Sequence, residues 1–488
     1  MTHGISFPAR PDGRRSTTEV GREVVADALR AVDPAGALGV EQETAWRSGY
    51  VVHFRRLVEA GLTTPEAWVQ IARDGLDAVH RRMVVADDGD GGAGRDTAAA
   101  DRPLGWLLDA APTRVLHTEE VRGDGAAITE LVVPYRGRDL RGDALRDQLA
   151  DWVVRGVMEP SAAEAVADVA AHPEWLRAEG HTVVVLGAGA EMGPLAPLLR
   201  WGATVAAVDL PREAVWERVR ATATRAAGRL LVPVDDAGAT GADLLAEVPE
   251  VATWAEGLDG RLVLGNYLYA DGATHVRVTV AADVLGARLL RTRPDTALAF
   301  LATPTDVFAV PRAAVVASTD AYVERGRIAK VVGRPLRWVS RGRLLHRAYP
   351  PAADPGIGDS LVPVQGPSYA LAKRIQRWRA TTALADGGLV SFHVAPSTRT
   401  RSVLKNRALA AAFAGAHRFG VEVFEPATAN TLMAALLVRD LARPPTPRAH
   451  PWQDEAAAAV HGGLWRAAYE PRSALGLAAV LGYGSARG

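Results

Sequence analysis

Tyr369 and Lys373 have the residue types and the spacing to do acid–base chemistry. They are four positions apart, so on a helix they stand on one face, about one turn from each other. An ammonium beside a phenol favours the phenolate and lowers a pKa that starts at about 10. Such a phenol can give or take the proton that accompanies hydride movement at a carbonyl or alcohol carbon. The plain alternative is an exposed helix that carries an aromatic ring and a charge.

A second group, the glycines at 187, 189 and 193 followed by Asp209, has the spacing of a phosphate-binding turn. Gly187 allows a tight turn, Gly189 lets the backbone approach a pyrophosphate, and Gly193 lets the following helix pack closely. The N-terminus of that helix directs backbone N–H groups at the phosphates. Asp209 follows Gly187 by about 20 positions, the spacing at which an acid receives a ribose 2′-hydroxyl. A carboxylate repels a 2′-phosphate, so NAD is expected, although the nearby Arg212 leaves NADP open.

The spacing of apolar side chains predicts the elements that carry these residues. Residues 183–186 form a continuous apolar run, which is typical of a strand buried on both faces. Apolar residues at helical spacing follow, and a second strand at 204–208 ends on Asp209. Strands and helices then continue to alternate as far as residue 302. These patterns predict an α/β fold with a doubly wound, parallel, Rossmann-type sheet and a mostly helical N-terminal domain.

Three further residues are expected on the same rim as the glycine turn. Ligands of such sheets bind outside the carboxyl ends of the strands. The strands predicted at 229–234, 261–269 and 296–302 bring Asp235, Asn266 and Thr303 to that edge. We expect the adenine of a dinucleotide to lie near Asp235.

The chain divides into three predicted regions. The N-terminal region includes a predicted hairpin with arms at 114–121 and 127–135. The regions are a mostly helical domain at 1–178, a Rossmann-type dinucleotide-binding domain at 179–445 with an insertion at about 312–365, and a C-terminal extension at 446–488.

Composition excludes several classes of function. The 56 basic and 56 acidic residues balance to a formal net charge of 0, so a nucleic-acid partner is not expected. The absence of cysteine rules out disulfides, thiolate metal sites and cysteine nucleophiles. No paired carboxylates accompany the scattered histidines at ligand spacing, so no metal site is expected. No apolar run is long enough to cross a membrane, and a cytoplasmic protein with a small-molecule substrate is expected.

Around Tyr369 the chain resembles the short-chain dehydrogenase/reductase family. The family signature is Y-x-x-x-K after the fifth strand, and GPSYALAKRIQRWRA at 366–380 contains it. FLATPT at 300–305 resembles the strand that ends in the family's catalytic serine, with Thr303 at the matching position. The resemblance implies an NAD(P)-dependent oxidoreductase in which Tyr369, Lys373 and Thr303 are catalytic. It also implies a homo-oligomer.

The resemblance extends to the segments on either side. LADGGLVSFHVAPSTRT at 384–400 resembles the family's sixth strand and the loop after it that contacts the nicotinamide. This implies that Pro396 and Thr398 bind the cofactor. Asn266, at the end of the fourth predicted strand, is the counterpart of an asparagine in the family's N-N-A-G.

The sequence departs from the family at several positions. Glu191 occupies the middle glycine position of the first turn, and Thr303 replaces serine. The connection between Thr303 and Tyr369 is much longer than in the family. Two alternatives therefore stay open: an S-adenosylmethionine-dependent methyltransferase, which also uses a glycine turn and a second-strand acid, and a catalytically degenerate nucleotide-binding protein.

Overall fold

A computed structural model describes residues 4–86, 101–324 and 344–483. Part of the predicted insertion at 312–365 therefore lies outside the described residues. In chain order the strands are β1 Gly4–Ser6, β2 Val84–Ala86, β3 Arg102–Pro103, β4 His117–Arg122, β5 Val133–Tyr135, β6 Arg138–Leu140, β7 His181–Leu186, β8 Thr204–Val208, β9 Arg229–Val234, β10 Arg261–Asn266, β11 Ala297–Ala302, β12 Val307–Val310, β13 Gly356–Asp359 and β14 Val390–Val394.

The α-helices of the described residues are numbered in the same way. They are α1 Thr17–Arg30, α2 Pro34–Glu41, α3 Trp46–Gly61, α4 Pro65–Arg82, α5 Gly142–Val154, α6 Pro160–Ala171, α7 Leu195–Trp201, α8 Glu213–Thr224, α9 Val248–Glu256, α10 Ala273–Thr292, α11 Arg312–Val323, α12 Pro367–Ala385, α13 Arg401–Lys405, α14 Arg407–Gly415, α15 Pro426–Ala442, α16 Pro451–Ala456 and α17 Pro471–Gly482.

A central sheet contains β14, β11, β10, β7, β8, β9 and β4, in that spatial order. The first six are mutually parallel, and β4 closes the edge antiparallel to β9. Starting from β9, the parallel strands are the third, second, first, fourth, fifth and sixth in the chain, which is the order of dinucleotide-binding folds. The predicted α/β class and Rossmann-type sheet are confirmed.

The apolar runs explain why these segments are central strands. Successive side chains of a strand point to opposite faces, so a run without polar residues suits a strand covered on both sides. In β7, Val184 and Leu186 belong to one hydrophobic cluster, whereas Val183 and Val185 belong to the other. The sheet is therefore the layer between two cores.

The predicted hairpin with arms at 114–121 and 127–135 is wrong. β4, from the first arm, pairs with β9, and β5, from the second arm, pairs with β6. Both arms have β-forming composition, but β9 would otherwise present unpaired backbone groups at the edge of the sheet. Pairing β4 with that edge satisfies those groups.

Helix α12, which carries Tyr369 and Lys373, lies between the N-terminal helices and the sheet. A Cβ added to Gly75 of α4 would meet the Trp378 ring of α12 at 2.6 Å, so the two helices are in close contact. One hydrophobic cluster continues from α1–α4 through α12 to the sheet. The N-terminal helices thus fix the position of α12 over the sheet. None of the described helices has the length and apolar character needed to cross a bilayer.

Candidate active site

A cavity of about 750 Å³ lies at the carboxyl ends of the parallel strands. It brings together six of the residues predicted from the sequence, which come from two strand ends, one helix and the loop after β14. Five predicted residues do not line it. The six are Asn266, Thr303, Tyr369, Lys373, Pro396 and Thr398, and the five are Gly187, Gly189, Gly193, Asp209 and Asp235.

Tyr369 and Thr303 meet at this cavity because α12 begins beside the end of β11. Gly366, in the left-handed region with φ of 81°, turns the chain into α12, so Tyr369 lies in its first turn. Thr303 directly follows β11, and its hydroxyl is 2.8 Å from that of Thr305. The Thr303 side chain lies near enough to the Tyr369 phenol to favour the phenolate. Two hydroxyl groups therefore lie close together at the edge of the cavity.

Buried ion pairs hold α12 in this register. The Asp306 carboxylate accepts hydrogen bonds from Arg377 at 2.7 Å and from Arg374 at 3.2 Å. Arg377 also donates to Glu455 on α16 at 2.5 Å. Breaking a buried pair of this kind costs about 3–5 kcal/mol, so the rotation of α12 relative to β11 is strongly determined.

The pKa of Tyr369 differs from the sequence-based expectation. Burial raises it to about 12, against a smaller lowering effect of Thr303. Lys373 was expected to lower this pKa, but its ammonium donates to the Leu301 carbonyl at 3.2 Å and to Gln376 at 3.1 Å. Burial lowers the pKa of Lys373 itself to about 8. The expected lowering of the phenol pKa is therefore wrong, because desolvation dominates and the Lys373 ammonium is not among the groups that shift it.

His275, which the sequence analysis missed, packs against two aromatic residues that line the cavity. It lies in the first turn of α10, and its ring is 5.3 Å from that of Tyr369 and 5.4 Å from that of Tyr269. Neither ring nitrogen makes a hydrogen bond to another described residue, although the backbone of Leu268 favours the protonated ring. Burial, and then the charge of Lys373, lower the pKa of His275 to about 3. The sequence signal that could have indicated His275 was its position shortly after β10, the fourth parallel strand.

Several backbone N–H groups of the first turn, residues 187–193, donate hydrogen bonds to acceptors elsewhere in the protein. The N–H groups of Gly187 and Ala188 donate to the Val208 carbonyl at 2.9 and 3.2 Å. Gly189 donates to the Asp209 carboxylate at 2.7 Å, and Gly193 donates to Asn430 at 3.0 Å. The donors expected to cradle a pyrophosphate are bound by protein acceptors.

The glycines of this turn face other parts of the chain. A Cβ added to Gly189 would lie 2.6 Å from the Val215 side chain and 3.2 Å from the Asp209 carboxylate. Gly187 has a φ of 83°, and a Cβ there would lie 3.2 Å from the Tyr267 carbonyl. Close packing within the fold thus accounts for both glycines.

Asp235 also has protein partners. Its carboxylate accepts from the backbone N–H groups of Ala237 and Ala239 and from Arg114 at 2.9 Å. These bonds stabilise the turn after β9. The contact of Asp235 with an adenine stays a prediction.

The loop after β14 is linked to the first turn. The Glu191 carboxylate, at the position where the family has a glycine, accepts from the Arg401 backbone N–H at 2.8 Å. Within the loop the Thr398 hydroxyl donates to the Pro396 carbonyl at 2.8 Å. Glu191 and Arg401 both line the cavity. A carboxylate therefore stands where the pyrophosphate is expected.

A dinucleotide fits one end of this site better than the other. Beside Tyr369 and Lys373 the cavity offers hydroxyl and ammonium groups that suit a ribose and a nicotinamide ring. At the other end the Gly189 N–H is bound, Val215 covers the turn, and Glu191 opposes a phosphate. In this arrangement a pyrophosphate would have to displace the Asp209 carboxylate from the Gly189 N–H and approach the Glu191 carboxylate. Among the described residues, no group of three His, Asp or Glu side chains could hold a metal ion.

Comparison with known proteins does not identify a family for this chain. No protein-family model and no curated protein matches the chain. The terminal R domain from the myxalamid PKS-NRPS biosynthetic pathway is 15% identical with a TM-score of 0.29, over 51% of this chain and 60% of that one. A thiolation-reductase di-domain from an archaeal non-ribosomal peptide synthetase is 10% identical with a TM-score of 0.29, over 55% and 54%. The match thus spans less than two thirds of either structure, and similarity at this level identifies no activity.

Proposed function

We propose that the protein is an NAD(P)-dependent oxidoreductase, related to the short-chain dehydrogenases/reductases, that acts on the carbonyl or alcohol group of a small molecule. The observation that carries the proposal is the meeting of Tyr369, Thr303 and Lys373 in one cavity. That cavity lies at the carboxyl ends of strands arranged in the order of dinucleotide-binding folds.

Tyr369 is the proton donor for a carbonyl oxygen. Because burial raises its pKa to about 12, the phenol is protonated at neutral pH and ready to donate in the direction of reduction. Thr303 donates a hydrogen bond to the same oxygen, which stabilises the negative charge that develops there.

Lys373 stabilises the phenolate that Tyr369 becomes. With a pKa of about 8 it is mostly charged at pH 7, and it lies one helical turn from the phenol. A cation attracts a phenolate more strongly than a neutral phenol, so an ammonium that turns from Leu301 and Gln376 to the phenolate favours proton release.

The cofactor supplies the hydride when it is bound. We infer NAD, because the Asp209 carboxylate would repel a 2′-phosphate once the first turn opens; Arg212 keeps NADP open. Binding of the pyrophosphate requires the first turn to open, since Gly189 and Glu191 have protein partners.

A catalytically degenerate nucleotide-binding protein is the second candidate. The closed first turn favours it, because bound donors and a nearby carboxylate weaken any nucleotide site. The closed first turn also counts against an S-adenosylmethionine-dependent methyltransferase. Such an enzyme, in addition, has no use for Tyr369 and Lys373.

Cofactor binding is the first test. The purified chain is titrated with NADH, NADPH and S-adenosylmethionine, and melting temperature and protein fluorescence are followed. We expect NADH to stabilise the protein most. Stabilisation by S-adenosylmethionine alone would contradict the oxidoreductase proposal.

Turnover is the second test. Oxidation of NADH is measured against a panel of aldehydes and ketones for the wild type and for Tyr369→Phe. Loss of the proton donor is expected to lower the rate about 100-fold or more. Tyr483→Phe, an exposed tyrosine that does not line the cavity, is the matched control. NADH binding without turnover on any carbonyl would support the degenerate site.

A further inference from the structure

The cavity extends beyond the predicted catalytic groups, under the C-terminal helices. Helices α14 and α17 cross in direct backbone contact: a Cβ added to Gly415 would lie 2.0 Å from the Ala478 carbonyl, and one added to Gly482 would lie 2.0 Å from the Ala411 carbonyl. Small residues at the crossing bring the helices together. Their larger side chains beside the crossing form one wall of the cavity.

This wall is apolar. None of the cavity-lining residues between 407 and 478 is charged, within the part of the chain that the structure describes. We call six of them the apolar arm. They are Leu409, Phe413, Phe419, Val421, Leu475 and Ala478.

The charged lining residues come from segments outside this wall: the first turn, the loop after β10, α12 and the start of α13. They are Glu191, Asp271, Lys373 and Arg401. Because Thr303 and Tyr369 also lie outside the apolar wall, the cavity has a polar end and an apolar end. An occupant that satisfies both ends carries one oxygen function and an apolar body.

We infer that the substrate is an uncharged, apolar carbonyl compound or alcohol whose hydrocarbon part lies in the apolar arm. The inference rests on the proposed function for the position of the oxygen, between Thr303 and Tyr369. A charged tail would lose its hydration against this wall without gaining a partner, so substrates with a charge in the tail are excluded. Each methylene that enters the arm leaves water, and affinity should rise with chain length.

Straight-chain alcohols from butanol to octanol test the inference by isothermal titration calorimetry on the full chain, without cofactor. We expect the Kd to fall about fourfold per added methylene, which corresponds to burial of one CH₂ group. Hexanoate should bind at least about tenfold more weakly than hexanol. A Kd that does not change with chain length, or hexanoate binding as tightly as hexanol, would overturn the inference.

Substitutions in the arm locate the bound chain. Leu475→Trp fills the arm, so octanol affinity should fall about tenfold or more while butanol affinity stays the same. Leu475→Ala enlarges the arm, so the rise in affinity with each added methylene should continue to longer alcohols. Val480→Trp, on the same helix but 72% exposed, should leave the series unchanged. Both Leu475 variants are checked for a cooperative melting transition. If the Kd values of the alcohols are unchanged in both, the alcohols bind elsewhere and the apolar arm is not their site.

Failure of this inference can be told apart from failure of the proposed function. Alcohol binding needs neither cofactor nor turnover. A chain-length series without reduction of any carbonyl supports the ligand class and rejects the oxidoreductase. Turnover on short polar carbonyls, with alcohol Kd values that do not change with chain length, supports the oxidoreductase and rejects the ligand class.

Discussion

The Asp209 carboxylate binds the backbone of the turn that it was expected to help present to a cofactor. One oxygen accepts from the Gly189 N–H at 2.7 Å, and the other accepts from the Leu210 N–H at 2.8 Å. A charged acceptor makes these bonds stronger than bonds between neutral groups. In this arrangement Asp209 is a structural part of the first turn.

The Asp209→Asn variant tests that role. An asparagine offers one carbonyl oxygen and one NH₂ group, so one of the two backbone donors faces another donor. We expect the free energy of unfolding to fall by about 1–2 kcal/mol, measured by urea denaturation. Asp147→Asn, an exposed position on α5, is the matched control. Equal stability of Asp209→Asn and the wild type would mean that these bonds contribute nothing.

Glu191 is expected to limit the affinity for a dinucleotide. Its carboxylate lines the cavity at the first turn, where it repels a pyrophosphate. Glu191→Gln removes the charge and keeps the shape, so the Kd for NADH should fall about tenfold, a change of about 1.4 kcal/mol. Fluorescence titration measures the Kd, and Glu213→Gln at the start of α8 is the control. If the Kd of Glu191→Gln equals that of the wild type, repulsion by Glu191 is not what limits binding.

The strands and the rim of the site were predictable because their signals are local. Runs of β-branched and apolar residues predicted 204–208 and 229–234, which match β8 and β9 at both ends. Strand ends in a parallel sheet share one edge, so Asn266 and Thr303 could be placed near each other before any coordinates were known.

Other features depend on contacts between distant parts of the chain. The Gly193 N–H donates to Asn430, which is 237 residues away, and no local pattern indicates this bond. The pKa of Tyr369 depends on its burial beneath neighbouring elements, whereas spacing showed only the lysine one turn away. Glu191 was visible as a departure from the family pattern, but its bond to Arg401 was not.

Lys373 should give the protein a characteristic dependence of stability on pH. Its pKa in the fold is about 8, below the ordinary value of 10.5, so between these values the unfolded chain binds more protons than the native one. The contribution of Lys373 to the free energy of unfolding therefore rises with pH from about 8 to 10.5. Lys373→Met lacks this contribution.

The difference in unfolding free energy between wild type and Lys373→Met should increase by about 2–3 kcal/mol across that range. At pH 7 the methionine variant should be at least as stable as the wild type, because it buries no charge. Urea denaturation at a series of pH values measures both. Lys405→Met, an exposed position, is the control. A difference that stays constant from pH 7 to 10.5 would show that the native pKa of Lys373 is not lowered.

His275 is expected to cost stability where it lies. Its ring nitrogens are buried beside Tyr369 without a hydrogen bond of normal geometry, and a buried polar group left unsatisfied costs about 1–3 kcal/mol relative to an apolar atom. His275→Phe should therefore raise the free energy of unfolding by about 1 kcal/mol at pH 7. Because the pKa of His275 is lowered to about 3 from 6.5, the wild type loses the contribution of His275 to stability as the pH falls below 6.5, a loss that the phenylalanine variant lacks. The advantage of the variant should thus widen between pH 6.5 and 4.5 in urea denaturation, whereas the exposed His417→Phe should show no such widening. A variant less stable than the wild type at both pH values would mean that the ring nitrogens have partners in solution.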